Sequence, residues 1–219
     1  AQGRLDDHND ILHECKSFYE DLYSKRKANL DFDHSGIFNT VHNTLDEIEK
    51  EICEGKVSME ECYDSLHQFP NNKSPGSDGL SIEFYKYFWN KISPFLMDSY
   101  NYSFENNILS VDQRRALLIL IPKFEKDKRL LTNWRPISLL NSDYKVLAKV
   151  LANRLQKVIS TIVHADQVGY VKGRNIGDNI RTLLDILDIT KHKSDPGMLV
   201  MIDFEKAFDT VSWKFLHQT

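Results

Sequence analysis

Apolar positions at intervals of three and four residues predict amphipathic helices along most of the chain. Ser58 and Glu61 form a capping-box pattern, Ser93 with Pro94 predicts an N-cap followed by a first-turn proline, and Ser142 is the expected N-cap of a long helix. The predicted helices cover residues 9–24, 45–55, 58–69, a stretch that includes 83–85, and residues 93–107, 142–162 and 177–192. Helices therefore dominate the predicted structure.

Continuous apolar runs predict a smaller number of strands. Residues 116–121 and 137–140 flank a charged stretch, and this arrangement predicts a β-hairpin with a basic, mobile connection over 124–132. Residues 198–202 follow a Pro-Gly pair and end on Asp203, which predicts a buried strand whose carboxylate lies at a sheet edge. The expected fold class is α+β, with a small antiparallel β-hairpin among the helices.

Composition fits a globular intracellular protein. The 219 residues are 41% hydrophobic and 27% charged, which is ordinary for such proteins. No apolar run is long enough to span a membrane and the polar N-terminus lacks a signal-peptide pattern, so we expect a location in the nucleus, the cytoplasm or both, and no membrane partner. Cys15, Cys53 and Cys62 lack metal-binding spacing and predict free thiols.

Charge is distributed unevenly along the chain, although its net value is only −4. Residues 1–70 hold 7 basic and 16 acidic side chains, whereas residues 114–181 hold 14 basic and 5 acidic ones. A basic middle segment favours a polyanionic partner, with solvated helix faces as the alternative. Lys145, Lys149, Arg154 and Lys157 lie off the apolar stripe of their helix and fit either interpretation.

Four motifs resemble the reverse transcriptases of non-LTR (LINE-type) retrotransposons. The closing motif Asp-Phe-Glu-Lys-Ala-Phe-Asp-x-Val-x-Trp at 203–213 resembles motif A of these enzymes. The other three are Lys-Ser-Pro-Gly-x-Asp-Gly at 73–79, Ile-Pro-Lys at 121–123 paired with Trp-Arg-Pro-Ile-Ser-Leu at 134–139, and Asp-Gln-x-Gly-Tyr-x-x-Gly-Arg at 166–174. They occur in family order over about two thirds of the chain.

The resemblance implies part of a right-hand polymerase fold. Residues 1–70 are then an acidic helical N-terminal extension or linker, residues 71–196 are the mainly helical fingers, and residues 197–219 begin the palm with its first strand. On this view the fold is truncated, because the rest of the palm and the thumb are missing.

The resemblance also implies roles in nucleotide binding and catalysis. Asp203 and the backbone carbonyl of Phe204 would be ligands of two Mg²⁺ (or Mn²⁺) ions, and Phe208 would select deoxynucleotides. Lys123 and Arg135 would contact the triphosphate, which suits a lysine point charge and a bidentate guanidinium. Solvent exposure is the alternative for Lys123, and a structural salt bridge is the alternative for Arg135.

The remaining implied contacts are with nucleic acid. Gly169 and Gly173 would permit close backbone approach to the template strand, while Lys172 and Arg174 would meet its phosphates. The implied partners are an RNA template, a DNA primer and deoxynucleoside triphosphates. Asp209, six residues after Asp203, is interpreted either as a second metal ligand or as a helix cap.

Two functions remain open from the sequence. The chain is either part of an RNA-directed DNA polymerase or a non-catalytic nucleic-acid-binding or interaction module retained from a decayed retroelement. The paired Asp-Asp that completes the family's metal site is not present downstream of Asp203. We therefore expect residues 1–219 alone to be inactive in primer extension.

Overall fold

The computed structural model describes residues 5–24, 36, 43–193, 197–204, 211 and 215–216. Over these residues the chain is mainly helical and contains a two-stranded antiparallel sheet, which confirms the expected α+β class. In chain order the elements are α1 His8–Ser24, α2 Glu47–Cys53, α3 Met59–His67, α4 Ile82–Asn106, β1 Ala116–Pro122, β2 Trp134–Leu140, α5 Ser142–Ile162 and α6 Ile176–Lys193. None of the helices in the described ranges is long and apolar enough to cross a membrane.

The chain forms two compact units, one of residues 43–121 with 135–179 and the other of residues 1–42, 122–134 and 180–219. The first unit contains the main apolar core, which lies between α3, α4 and α5 because each helix directs an apolar stripe toward the other two. Its buried members are Val57, Cys62, Leu66, Ile82, Tyr85, Trp89, Met97, Tyr100, Val146, Leu147 and Val150.

Residues 43–70, the second part of the predicted N-terminal extension, contribute to this core. Capping boxes at Asp46 with Glu49 and at Ser58 with Glu61 start α2 and α3, as the sequence predicted for the second of them. Residues 43–70 belong to the same compact unit as α4 and α5. The limits drawn at residues 70 and 196 therefore do not coincide with the compact units and stay predictions about function.

Helix α4 is longer than predicted. The sequence placed residues 83–85 on one helix and the start of another at Ser93, but a single helix runs from Ile82 to Asn106 and contains Pro94 in its interior. An interior proline removes one backbone hydrogen bond. Core residues both before and after Pro94, including Trp89 and Tyr100, are buried on one face, and this packing keeps the helix continuous.

Helix α5 differs from the prediction at two points. Asn141 rather than Ser142 occupies the N-cap position, and the Ser142 hydroxyl instead donates to the carbonyl oxygen of Leu80 at 2.7 Å. Val146 and Val158 of the predicted apolar stripe are buried. Leu155, which was assigned to the same stripe, is exposed.

The β-hairpin is confirmed, with β1 paired to β2. Both strands are edge strands, which explains why Pro136 is tolerated within β2. Neither strand contains a buried residue, so apolar side chains remain exposed on the hairpin. These are Leu117, Leu118, Ile119, Ile121 and Ile137.

The connection between the strands forms a hydrogen-bonded loop, and its mobility stays a prediction. The Lys123 amide donates to the Asn133 carbonyl at 2.8 Å, and the Asn133 amide donates to the Leu130 carbonyl at 2.9 Å. The Trp134 indole N–H donates to the Lys128 carbonyl at 2.8 Å. Backbone carbonyls thus satisfy the donors of this loop, although its charged side chains suggested a solvated chain.

Residues 197–204 do not form the buried strand that was predicted. They have no regular secondary structure, and the apolar side chains from Met198 to Ile202 are exposed. A strand needs a neighbour to accept and donate its ladder hydrogen bonds, and no described residue supplies one. The predicted apolar face of α6 is likewise unburied, since that helix contains no buried residue.

Candidate functional site

Asp203 and Phe204 are both exposed at the end of the extended segment 197–204. The described part of the chain contains no group of three or more His, Cys, Asp or Glu side chains arranged to hold a metal ion. Phe208 and Asp209, the predicted sugar contact and the possible second ligand, lie outside the described residues. Asp203 therefore stands in the structure as one carboxylate with a neighbouring backbone carbonyl.

Lys123 directly follows β1 and is half-buried. Its ammonium group donates to the carbonyl oxygen of Thr132 at 2.9 Å. This bond spans the hairpin connection and holds the charge close to the loop, so simple solvent exposure does not describe the side chain. The remaining donors of the ammonium group are available for a phosphate oxygen.

Arg135 is the second residue of β2 and is exposed. The ion pairs among the described residues do not include it. The alternative of a structural salt bridge thus finds no support in the described structure. Its guanidinium retains the planar fork of donors that binds phosphate bidentately.

Arg174 fixes the turn that follows α5. Its guanidinium donates to four carbonyl oxygens, those of Ser160 at 3.3 Å, Val163 at 3.0 Å, His164 at 2.5 Å and Gln167 at 2.7 Å. A cation is favourable at a helix C-terminus, where carbonyl groups lack helical partners. Four such bonds occupy most of the donor capacity of Arg174, which the sequence assigned to a phosphate contact.

Lys172 differs from Arg174 because its side chain is exposed. It lies on an open polar groove between α3 and α5, with a cavity volume of about 510 Å³. The groove is lined by Glu61, Asp64, Ser65, Gln68, Val150, Asn153, Arg154, Gln156, Lys157 and Lys172. Lys157 and Lys172 give this surface two exposed positive charges.

The two glycines of the same turn have different conformations. Gly173 has φ +85°, which a residue with a side chain rarely adopts, and a Cβ there would meet nothing within 4 Å. A Cβ on Gly169 would meet only the Gln167 side-chain nitrogen at 3.6 Å, an ordinary contact. Backbone conformation thus requires glycine at 173, and both positions leave room for close approach of another chain.

Arg154 is buried, which corrects its assignment to a surface face that could follow nucleic acid. Its side chain is only 7% exposed and forms a bidentate pair with Glu61, at 2.6 and 2.8 Å. Three further bonds of 2.9 to 3.0 Å reach the carbonyls of Glu54, Gly55 and Lys56. We call this set the Arg154 latch.

The latch strongly perturbs its carboxylate. The hydrogen bonds from Arg154 lower the pKa of Glu61 to about 2, against the opposing effect of burial. The charges of this pair are therefore fixed across the physiological pH range. Helical periodicity could not reveal the latch, because its partners lie 93 to 100 residues apart in the sequence.

The glycine loop, residues 71–80, docks on the beginning of α5. A Cβ on Gly76 would lie 2.6 Å from the Leu140 carbonyl carbon, so no other residue fits without displacement. The Oδ1 atom of Asn141 accepts from the Ser77 hydroxyl at 3.3 Å and from the Asp78 amide at 3.4 Å. The sequence identified this loop as a motif but did not reveal that Asn141 accepts its hydrogen bonds.

Comparison with known proteins finds a family match that begins at the end of β1 and includes the segment with Asp203. Residues 121–219 match the family described as reverse transcriptase (RNA-dependent DNA polymerase). The chain belongs to the reverse transcriptases. This family agrees with the resemblance seen in the motifs from Lys73 to Trp213. The relatives are proteins of non-LTR retrotransposons, which also agrees with that resemblance.

The relatives of this reverse transcriptase chain are proteins of transposable elements. It is 36% identical over 212 residues to the transposon TX1 uncharacterized 149 kDa protein of Xenopus laevis, covering 97% of this chain and 16% of that protein. It is 28% identical over 159 residues to the retrovirus-related Pol polyprotein from type-1 retrotransposable element R1 of Bradysia coprophila, covering 72% and 16%. For the probable RNA-directed DNA polymerase from transposon BS of Drosophila melanogaster the identity is 26% over 157 residues, covering 71% and 17%.

The reverse transcriptase chain spans about one sixth of the length of these relatives. Enzymes of its family use divalent metal ions, nucleic-acid template and primer, and nucleotide substrates. The four motifs that identified the family lie in different structural settings, from the docked glycine loop to the exposed Asp203 segment. The family model itself matches residues 121–219, and the 36% identical relative extends the similarity over 97% of the chain.

Proposed function

We propose that the chain supplies the fingers and the beginning of the palm of an RNA-directed DNA polymerase with a right-hand fold. Residues 71–196 correspond to the fingers, residues 197–219 to the start of the palm, and residues 1–70 to an N-terminal extension. The match of residues 121–219 to the reverse transcriptase family is the observation that carries this proposal. The reaction is transfer of a deoxynucleotide to the 3′ hydroxyl of a primer.

Asp203 and the Phe204 carbonyl are the proposed metal ligands of this chain. Both groups offer oxygen donors, which Mg²⁺ and Mn²⁺ prefer, and both belong to an exposed segment that leaves room for phosphate and water. When bound, two such ions supply activation of the primer hydroxyl and neutralisation of charge on the phosphates. The family's paired Asp-Asp, which would supply the other carboxylate ligands, is not among residues 204–219.

Arg135 and Lys123 are the proposed contacts to the triphosphate. The exposed guanidinium of Arg135 has no ion-pair partner among the described residues, so it meets a phosphate group without first breaking a salt bridge. Lys123 adds a positive charge whose position is restricted by its bond to Thr132. Phe208 remains the proposed group beneath the nucleotide sugar, where its ring excludes a 2′ hydroxyl.

Lys172 is the proposed contact to the template backbone, with Gly169 and Gly173 allowing close approach. Arg174 contributes to this contact mainly by holding the turn, because its guanidinium already donates to four carbonyls. A lysine on an open groove gains a phosphate contact with little rearrangement of the protein. The groove also carries Lys157, which extends the positive surface.

Substitution of Asp203 tests the polymerase function directly. Even loss of a group that only supports a metal ligand costs about 10–100-fold. We therefore expect Asp203→Ala in the full-length protein to lower Mg²⁺-dependent primer extension on RNA by more than about 100-fold. Asp185→Ala, which removes an exposed carboxylate from α6, is the matched control and should retain activity.

Undiminished primer extension by the Asp203→Ala protein would refute Asp203 as a ligand. The inactivity of residues 1–219 alone stays a separate prediction. Robust Mg²⁺-dependent extension by that polypeptide would contradict it.

The second candidate function is nucleic-acid binding without catalysis, and the exposed lysines of the groove favour it. Binding of labelled RNA to the 219-residue chain is measured as a function of salt concentration. Loss of one phosphate contact reduces the slope of log K against log salt by about 1. We expect Lys172→Gln to show this reduction and Lys91→Gln, an exposed lysine of α4, to leave the slope unchanged. Equal slopes for both variants would remove Lys172 from the interface.

A further inference from the structure

The hairpin is held in place by something other than apolar burial. Neither β1 nor β2 contains a buried residue, although their sequences are strongly apolar. An isolated two-stranded hairpin is marginally stable in water, and it needs support from the structure at its ends. The residues that directly precede β1 and follow β2 therefore determine the orientation of the hairpin.

Two buried amide side chains lie at these points. Gln113 precedes β1 by three residues and Asn141 directly follows β2, and each is only 3% exposed. Buried amides are costly unless their hydrogen bonds are satisfied. Both side chains meet that requirement by bonding to the opposite end of the hairpin.

The bonds are reciprocal. Asn141 Nδ2 donates to the Asp112 carbonyl at 3.2 Å, at the base of β1. Gln113 Nε2 donates to the Asp143 carboxylate at 3.1 Å, at the base of β2. We call Gln113, Asn141 and these two acceptors the amide clamp. It joins the two ends of the hairpin without using any residue of the strands themselves.

The acceptor atoms of the two amides extend the amide clamp to its surroundings. Gln113 Oε1 accepts from the Ser110 amide at 3.2 Å, and Asn141 Oδ1 accepts from Ser77 and Asp78 of the glycine loop. The close approach of Gly76 to Leu140 brings that loop against the end of β2. Three chain segments thus meet at the base of the hairpin.

The hydrogen-bonding groups at the foot of the hairpin explain why amide side chains occupy positions 113 and 141. A carboxylate in place of Asn141 or Gln113 would keep the acceptor but lose the N–H donors. It would also add negative charge beside Asp112 or Asp143, which is unfavourable in a buried place. A neutral amide donates and accepts at the same position, so it satisfies both sides without adding charge.

We propose that Asn141 is a positioning residue for nucleotide binding, acting with Gln113 to fix the hairpin and hence the guanidinium of Arg135. This inference rests on the proposed role of Arg135 in contacting the triphosphate. Arg135 lies on β2, six residues before Asn141, which follows the end of that strand, and the Arg135 side chain is exposed on a strand that contains no buried residue. The orientation of that strand therefore depends on its base.

Hydrogen exchange of the 219-residue chain tests the mechanical part of the proposal. We expect Asn141→Ala to accelerate exchange in β1, β2 and the glycine loop by roughly fivefold or more, the effect of losing one buried hydrogen bond, while α3 stays protected. Asn153→Ala is the matched control, because it removes a 3.0 Å bond from α5 to Ser65 outside the amide clamp. Unchanged exchange in the hairpin, or equal acceleration everywhere, would overturn the proposal.

Kinetics of the full-length protein test the functional part. We expect Asn141→Ala to raise KM for deoxynucleoside triphosphate by between about 10- and 100-fold, with primer–template affinity unchanged, because a misplaced binding group loses its substrate. In an Arg135→Ala background the same substitution should have little further effect, since the two residues act as one unit. Additive effects on KM would contradict action through Arg135.

The two measurements separate failure of this proposal from failure of the nucleotide site. If Arg135→Ala leaves KM unchanged, the triphosphate role of Arg135 is wrong and Asn141 is not a positioning residue for it, whatever hydrogen exchange shows. If Arg135→Ala raises KM but Asn141→Ala does not, only the positioning role is overturned. Should Asn141→Ala fail to fold, Gln113→Ala removes the amide clamp from the other end and carries the same expectations.

Discussion

The helical core and the β-hairpin are stabilised by different kinds of interaction. In the core, α3, α4 and α5 bury apolar side chains. The Arg154 latch ties α5 to the segment before α3 through three hydrogen bonds and to Glu61 of α3 through two. In the hairpin, most apolar side chains stay exposed, and side-chain hydrogen bonds of the amide clamp support its base. Burial of apolar side chains thus stabilises the core, whereas hydrogen bonds at its base hold the hairpin.

Two arginines illustrate what this difference means for function. Arg154 is buried, with its donors satisfied by protein oxygens, so nothing remains to offer a ligand. Arg135 is exposed, and the ion pairs of the described residues leave it out. A cationic side chain in a basic segment is thus not by itself a nucleic-acid contact. Its function follows from whether the protein has already satisfied its donors.

The largest expected effect is loss of stability on removing the buried arginine. Arg154→Ala removes the arginine donors from three carbonyls and from Glu61, whose side chain is 32% exposed, and losing hydrogen bonds to charged groups costs about 1.5–3 kcal/mol. Arg135→Ala is the matched variant in the hairpin and should change stability by less than about 0.5 kcal/mol. Urea unfolding of the 219-residue chain measures both.

In the nucleotide-binding assay, by contrast, Arg135→Ala should have a direct effect that does not depend on stability. Arg135→Ala is expected to raise KM for deoxynucleoside triphosphate in the full-length protein, although its stability is unchanged. Equal unfolding free energies for Arg154→Ala and the unmodified chain would show that the latch is not a stabilising element.

A smaller effect is expected from pH. The pKa of Glu61 is lowered to about 2 in the folded chain by the hydrogen bonds from Arg154, whereas an unperturbed glutamate titrates near 4.3. The stabilisation is therefore fully present above about pH 4.3 and is lost as the pH falls toward 2. Thermal unfolding between pH 5 and 2.5 should show a decline that is shallower in Glu61→Gln, and identical slopes would contradict this assignment.

Local patterns in the sequence were sufficient for much of the fold. Helical periodicity and the Ser58 capping box predicted α3, and two apolar runs around a charged stretch predicted the hairpin. These features depend on residues within a few positions of each other. The motifs also led to the correct family, because they preserve residue types and order.

Features that depend on distant partners escaped the same reasoning. Pro94 indicated a helix start, yet packing of residues on both sides keeps α4 continuous. Arg154 fitted a basic surface until the carbonyls of the segment before α3 were found around it. Residues 198–202 have the composition of a strand, but strand formation requires a neighbour that composition does not supply. Asn141 bears no periodic or motif signal, and only the meeting of three segments reveals it.

The Arg154 latch also imposes an order on folding during synthesis. Its hydrogen bonds join residues separated by 93 to 100 positions, so the segment before α3 cannot be fixed when it first leaves the ribosome. At about 5–20 residues per second, Arg154 follows its partners by roughly 5–20 s. During that interval the exposed carbonyls and Glu61 remain hydrated, and α3 has only its capping box and local apolar contacts. Completion of α5 is then the event that fixes α3 and the segment before it in the core.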